Sequence, residues 1–182
     1  MQKLVIGIVL PKKESDFVSG IVGEIYKKTG CESAKYFPPH ITFFYDVQEV
    51  TDKLEEMVKN AIRGQTSFTL ETSGVSYFDN DAWSSNPYVV YVKLTKVLEL
   101  TEIRKKIFGA LRKANVKFRT HEEFIPHITL AHDDVKESDF DKVYSIANSM
   151  YSGFSFKVNE IVILRQLENE TWIVDRRIRL GI

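Results

Sequence analysis

The sequence predicts an α+β protein in which two mainly antiparallel sheets line a central cleft and helices cover the outer faces. Three observations carry that expectation. Short β-branched runs alternate with segments of helical period. The order strand, helix, strand, helix, strand occurs twice. The word Pro39-His40-Ile41-Thr42 returns 87 residues later as Pro126-His127-Ile128-Thr129. One bilobal domain over residues 1–182 follows, with an internal repeat of approximately 3–78 and 88–165 and an extra C-terminal strand at 171–180.

Leu4 to Leu10 is apolar and strand-length, and Pro11 breaks it. Ser15 then precedes Phe17, Val18, Ile21, Val22, Ile25 and Tyr26 at helical spacing, with Gly30 as the stop. After Pro38 and Pro39, His40 to Tyr45 reads as a strand. Asp52 and Glu55 form a capping-box pattern for a helix carrying Leu54, Met57, Val58, Ala61 and Ile62, ended by Gly64. Ser67 to Phe78 is β-rich, and Asp79 to Pro87 is a loop by its Asn, Asp, Ser and Pro content. The second half repeats the order: a strand at Tyr88 to Thr95, then a helix with Leu100, Ile103, Ile107, Leu111 and Ala114. A strand at His127 to Ala131, a helix with Phe140, Val143, Ala147 and Met150, and a strand at Phe154 to Leu164 follow. Glu168, Asn169 and Glu170 make a hairpin turn into the last strand, Thr171 to Leu180.

Composition narrows the function classes. The 182 residues are 43% hydrophobic and 27% charged, which suits a globular core and excludes a disordered or disulfide-scaffold chain. Lys plus Arg and Asp plus Glu both number 25, so extended nucleic-acid binding by phosphate neutralisation is not expected. A small anionic ligand fits this balance. A single cysteine, Cys31, offers no disulfide and no thiolate zinc cage, and points to a reducing cytoplasm. The apolar run at Leu4 to Leu10 is too short to span a bilayer, so no membrane association is expected.

The repeated word carries the chemistry. Side chains alternate along a strand, so His40 and Thr42 share one face while Ile41 and Phe43 share the other. His127 and Thr129 pair likewise, with Ile128 and Leu130 toward the core. Duplication then brings two imidazoles and two hydroxyls together across a pseudo-twofold axis. Opposed histidines suit displacement at phosphorus, where the attacking and leaving oxygens each need a proton transfer. One neutral and one protonated imidazole can coexist near neutral pH without a metal. The threonine hydroxyls can donate to non-bridging phosphate oxygens. The residues themselves leave open which histidine is acid and which is base.

With these residues in view, the chain resembles the two-histidine phosphoesterases, which include the RNA 2',3'-cyclic phosphodiesterases also called 2'-5' RNA ligases. His40-Ile41-Thr42-Phe43 and His127-Ile128-Thr129-Leu130 both match the His-x-Thr/Ser-x motif with a hydrophobic last position. The prolines before both histidines, the motif spacing and the final Leu180-Gly181 extend the likeness over nearly the whole chain, which looks more like the small bacterial branch of phosphoesterases. The resemblance implies a bilobal fold, metal-independent opening of a cyclic or 2'-5' phosphodiester with no cofactor, His40 as proton donor and His127 as proton acceptor. The implied partner is a small nucleotide or an RNA end carrying a cyclic phosphate. This chain departs from the family where many members have an arginine five residues after the second motif histidine, since His132 stands there. It also has Glu122 and Glu123 where members are often basic.

Other readings stand beside this one. The cleft could belong to a catalytically idle module that binds a nucleotide or RNA end, or to a 2'-5' phosphodiester ligase or hydrolase. A histidine zinc site is the chemical rival and lacks an obvious third ligand. Cys31 has no oriented base, so a cysteine hydrolase is not expected. His132 lies an odd number of positions from His127, so an unbroken strand points it to the opposite face. Lys117 and Arg119 are read as solvated, and Tyr36, Phe37 and Trp83 as loop aromatics that pack locally rather than stack on a base. Arg176, Arg177 and Arg179 are read as charges protecting an edge strand.

Overall fold

The computed structural model describes residues 3–79, 86–95, 97–121 and 123–181. Glu122 and Trp83 lie outside the described residues, as does most of the loop expected at Asp79 to Pro87. In chain order the elements are β1 (Leu4–Val9), α1 (Lys12–Thr29), a 3-10 turn (Ser33–Tyr36), β2 (His40–Gln48), α2 (Thr51–Ala61), β3 (Phe68–Phe78) and β4 (Val89–Thr95). Then come α3 (Leu98–Lys113), β5 (Lys117–Arg119), β6 (His127–Ala131), α4 (Glu137–Met150), β7 (Ser155–Val158), β8 (Glu160–Gln166) and β9 (Trp172–Arg179).

The strands form two antiparallel sheets, in the order β5-β2-β1-β8-β9 and β6-β4-β3-β7. The fold is therefore α+β, as expected. Each sheet mixes strands from both halves of the chain: β8 lies against β1, and β3 lies against β4. The helices bury one apolar stripe each, Val18, Ile21, Val22 and Ile25 on α1 and Leu100, Ile103, Ile107 and Leu111 on α3. α1 packs on α4 and α2 on α3. One core cluster runs through both layers, from Leu4, Ile6 and Ile8 through Ile41 and Phe43 to Ile128 and Leu130. Motif strands β2 and β6 belong to different sheets yet lie in contact, which brings the two motifs to one place.

Several element boundaries differ from expectation for identifiable reasons. α1 starts at Lys12 rather than after Ser15, because Pro11 takes the N-cap position and its carbonyl accepts the Ser15 N–H at 2.8 Å. Gly30 ends that helix in the left-handed region, φ 81°. The capping box at Asp52 and Glu55 does not form: α2 has Val50 at its N-cap without a side-chain cap. Both carboxylates turn instead to Arg176 on β9, at 2.8 Å and 3.1 Å. The expected strand Phe154 to Leu164 is two strands split at Asn159. β7 pairs at the edge of the four-stranded sheet with alternating burial, while β8 enters the middle of the five-stranded sheet and is buried on both faces through Ile161–Leu164. The short strand β5 had no periodic signal. β9 is the edge strand the arginines indicated.

Candidate active site

Both motif strands open with their histidine. In each, the hydrogen-bonding register slips by one residue just after the threonine. On β2, Gly7 faces Thr42 but Ile6 faces Phe44; on β6, Tyr91 faces Thr129 but Val90 faces Ala131. The residue passed over is the fourth of each motif, Phe43 and Leu130, so each motif ends in a β-bulge. Burial follows this register. Ile41, Phe43 and Phe44 point into the core, as do Ile128, Leu130 and Ala131, all at most 2% exposed. His40, Thr42, His127 and Thr129 are half-buried on the other face.

A cleft of about 570 Å³ lies over that face, lined by His40, His127 and Thr129 among others. Thr42 lines an adjoining cavity of about 360 Å³, which shares His127, Tyr45, Phe78 and His121 with the first. All four histidines of the chain, His40, His121, His127 and His132, border the larger cleft. His132 corrects the parity expectation: the bulge at Leu130 adds one residue, which returns position 132 to the face of His127 and Thr129. The bulge at Phe43 does the same for Tyr45, also five residues after its motif histidine.

The two imidazoles are held alike by the backbone. His40 Nδ1–H donates to the carbonyl of Pro38 at 2.9 Å, and His127 Nδ1–H to that of Ile125 at 2.8 Å. A carbonyl only accepts, so each neutral ring carries its proton on Nδ1 and its lone pair on Nε2. A proline stands between each histidine and its carbonyl partner, and it biases residues Pro38 and Ile125 toward extended backbone.

The ring environments differ. Phe37 stacks on His40 at 5.2 Å and 22°, and Trp172 stacks on Phe37 at 4.8 Å and 16°. His127 instead meets Phe78 edge-on at 5.2 Å and lies tilted against Tyr91 at 5.0 Å. Burial lowers the His40 pKa to about 4, against the Pro38 hydrogen bond that raises it, with His127 and His132 lowering it further. In the open cleft His40 is thus neutral at neutral pH.

Lys3, Lys35 and Arg119 line the cleft, together with Asp46 and Asp133. Arg119, read as solvated from sequence, pairs with Asp46 at 3.3 Å at the cleft's edge. Cys31 is buried, with its thiol raised by that burial and its Sγ donating to the Asp134 carbonyl at 3.6 Å, which suits packing rather than nucleophilic attack. Among the described residues, no three His, Cys, Asp or Glu side chains converge to hold a metal ion.

The profile of the 2'-5' RNA ligase superfamily matches residues 17–170. The chain belongs to that superfamily. A protein of Bacillus cytotoxicus named "Putative phosphoesterase" is 31% identical over 149 residues, covering 79% of this chain and 80% of its own. A Geobacillus kaustophilus protein of the same name is 26% identical over 170 residues, covering 92% and 91%. Among solved structures, Escherichia coli LigT complexed with 3'-AMP aligns over 100% of this chain and 99% of its own, with TM-score 0.64 and 18% identity. A Thermus thermophilus protein aligns over 99% and 98%, with TM-score 0.68 and 15% identity. Superfamily membership supports a phosphoesterase or nucleotide-binding role. Among the described residues, no helix is long and apolar enough to cross a membrane.

The stack on His40, the bulges and the entry of His132 were missed from sequence. Phe37 was visible as a loop aromatic three residues before His40. Its partner Trp172 is 135 residues away, and no local pattern links the two.

Proposed function

We propose that this protein is a metal-independent phosphoesterase that hydrolyses a 2',3'-cyclic phosphate on an RNA end or small nucleotide. His40 acts as proton donor, His127 as proton acceptor, and Thr42 and Thr129 bind the phosphate. The observation that carries this reading is the matched pair of imidazoles. Two rings from two sheets border one cleft, each tied through Nδ1 to the carbonyl two residues before it, which makes Nε2 the nitrogen for proton transfer. LigT, complexed with 3'-AMP, supports a nucleotide-sized ligand for this fold.

In the proposed step, His127 Nε2 takes a proton from water as its oxygen attacks phosphorus. The bond from phosphorus to one ribose oxygen breaks, and that oxygen takes the proton from His40 Nε2, which leaves a phosphate monoester. The acid role requires His40 to be protonated in the complex. An anionic phosphate ester beside the ring favours the imidazolium and opposes the burial that keeps it neutral in the open cleft. Threonine hydroxyls on both motif strands then donate to the non-bridging oxygens.

The test is turnover of a panel of 2',3'-cyclic nucleotides, cyclic-phosphate-ended oligonucleotides and 2'-5'-linked dinucleotides by the purified chain. Conversion of the cyclic substrates to monoesters is the expected result. Cleavage confined to 2'-5' linkages would reassign the substrate. Binding of cyclic-phosphate oligonucleotides with no product after long incubation would leave a catalytically idle binding module.

A further inference from the structure

The two halves of the site are matched at the motif and unmatched around it. Phe37 has extended backbone and directly follows the 3-10 turn Ser33–Tyr36. One face of its ring lies on the His40 imidazole and the other on the Trp172 indole, with interplanar angles of 22° and 16°. Trp172 is the first residue of β9 and packs with Val5, Val162 and Leu164 in a small apolar cluster separate from the main core. The turn leading to Phe37 is itself anchored: Asp134 Oδ2 accepts the Glu32 and Ser33 N–H groups at 2.6 Å and 3.1 Å. The three rings therefore form a stack fixed at both ends, by the Trp172 cluster and by the hydrogen bond from His40 to Pro38. His127 meets Phe78 edge-on and lies tilted against Tyr91.

We propose that Phe37 is a positioning residue for His40: clamped between Trp172 and the imidazole, it fixes the plane of the ring and couples β9 to the site. The proposal rests on His40 acting in proton transfer. A single Nδ1 hydrogen bond leaves an imidazole free to swing about that bond. Flat contact along one face removes this freedom, so Nε2 stays aimed into the cleft. Proton transfer depends steeply on such alignment. The stacked phenyl also keeps water from one face of the ring, consistent with burial being the leading cause of the lowered His40 pKa. The other titratable groups bordering the cleft are His121, His127, His132, Lys3, Lys35, Arg119, Asp46, Asp133 and Tyr45. Of these, His132 also meets the Phe37 ring edge-on at 6.1 Å and lowers the His40 pKa, so the Phe37 comparison is repeated in a His132→Gln background, where a change in the His40 titration reads the stack.

The experiment is a pH titration of the histidine ring nitrogens by NMR in the full chain, with His40 signals assigned through His40→Gln. Wild type is expected to show His40 titrating near pH 4, held in the Nδ1–H tautomer. Phe37→Leu keeps apolar bulk but removes the flat face. It should raise the His40 midpoint by about one pH unit or more toward ~6.5 and mix the two tautomers. On whichever phosphoester the wild type turns over, kcat should fall roughly ten- to a hundredfold with little change in KM. Phe37→Tyr restores the ring face and should restore midpoint, tautomer and kcat together. Trp172→Leu, which frees the outer ring, should shift the His40 signals in the same direction. An unmoved midpoint and tautomer in Phe37→Leu would overturn the proposal, as would a shift that Phe37→Tyr does not reverse. The ring signals need no substrate, so a wild type that shows the expected titration and turns nothing over would uphold the stack while refuting the catalytic reading of His40.

Discussion

At the scale of single residues, His40 and His127 share a motif, a tautomer and a bond to the carbonyl two residues before, yet Phe37 stacks on His40 while Phe78 meets His127 edge-on. This asymmetry has a consequence for stability. An unfolded-chain histidine takes up its proton near ~6.5, whereas native His40 resists it until about 4. Between those values the unfolded chain holds more protons, so stability falls as pH drops from about 6.5 to about 4 and this contribution changes no further below. Urea denaturation at pH 7.5 and 4.5 should show a larger loss in wild type than in His40→Gln; equal losses would contradict the burial assigned to this ring. The threonines make a weaker demand. Thr42→Val and Thr129→Val keep shape and delete a donor, and each should cost roughly ten- to a hundredfold in kcat/KM, less than either histidine. Substitutions without measurable effect would remove the hydroxyls from phosphate binding.

At the scale of elements, the bulge that follows each motif decides which side chains reach the cleft. Strand periodicity correctly divided His40 and Thr42 from Ile41 and Phe43, because the alternation is intact up to the threonine. It failed five residues after each histidine, where the inserted residue reverses the parity and brings in Tyr45 and His132. A bulge is set by pairing with the neighbouring strand, so one strand's pattern does not reveal it. The same holds for the capping pattern at Asp52 and Glu55, which yields to an arginine on β9. The β1–β2 register also makes a demand on Gly7, which faces Thr42: a Cβ there would stand 2.3 Å from the Ile41 carbonyl oxygen. That neighbour is backbone and cannot rotate away. Gly7→Ala should therefore lose about 1–3 kcal/mol in urea denaturation and shift the His40 ring signals as the strand moves. An unchanged midpoint and spectrum would show that the two strands can separate at no cost.

At the scale of the whole molecule, we propose that the chain is one bilobal unit built by duplication, with repeats near 3–78 and 88–165. The repeated bulges and the strand exchange support it, since β2-β1-β8 in one sheet and β6-β4-β3 in the other have the same order with the third strand traded between halves. Neither half can complete its own sheet. Unfolding should accordingly be a single transition by both circular dichroism and tryptophan fluorescence, and two separated transitions would contradict one cooperative unit. The same architecture places one imidazole from each half at one cleft, which is the central claim. The most direct test of it measures turnover in EDTA for wild type, His40→Ala, His127→Ala and the double variant, with folding checked by circular dichroism. Paired acid and base predict full wild-type activity under chelation, losses of about 10²- to 10⁴-fold for each single variant, and a double variant little worse than the weaker single. Near wild-type kcat in either single variant, or activity lost to EDTA and recovered on adding metal, would contradict it.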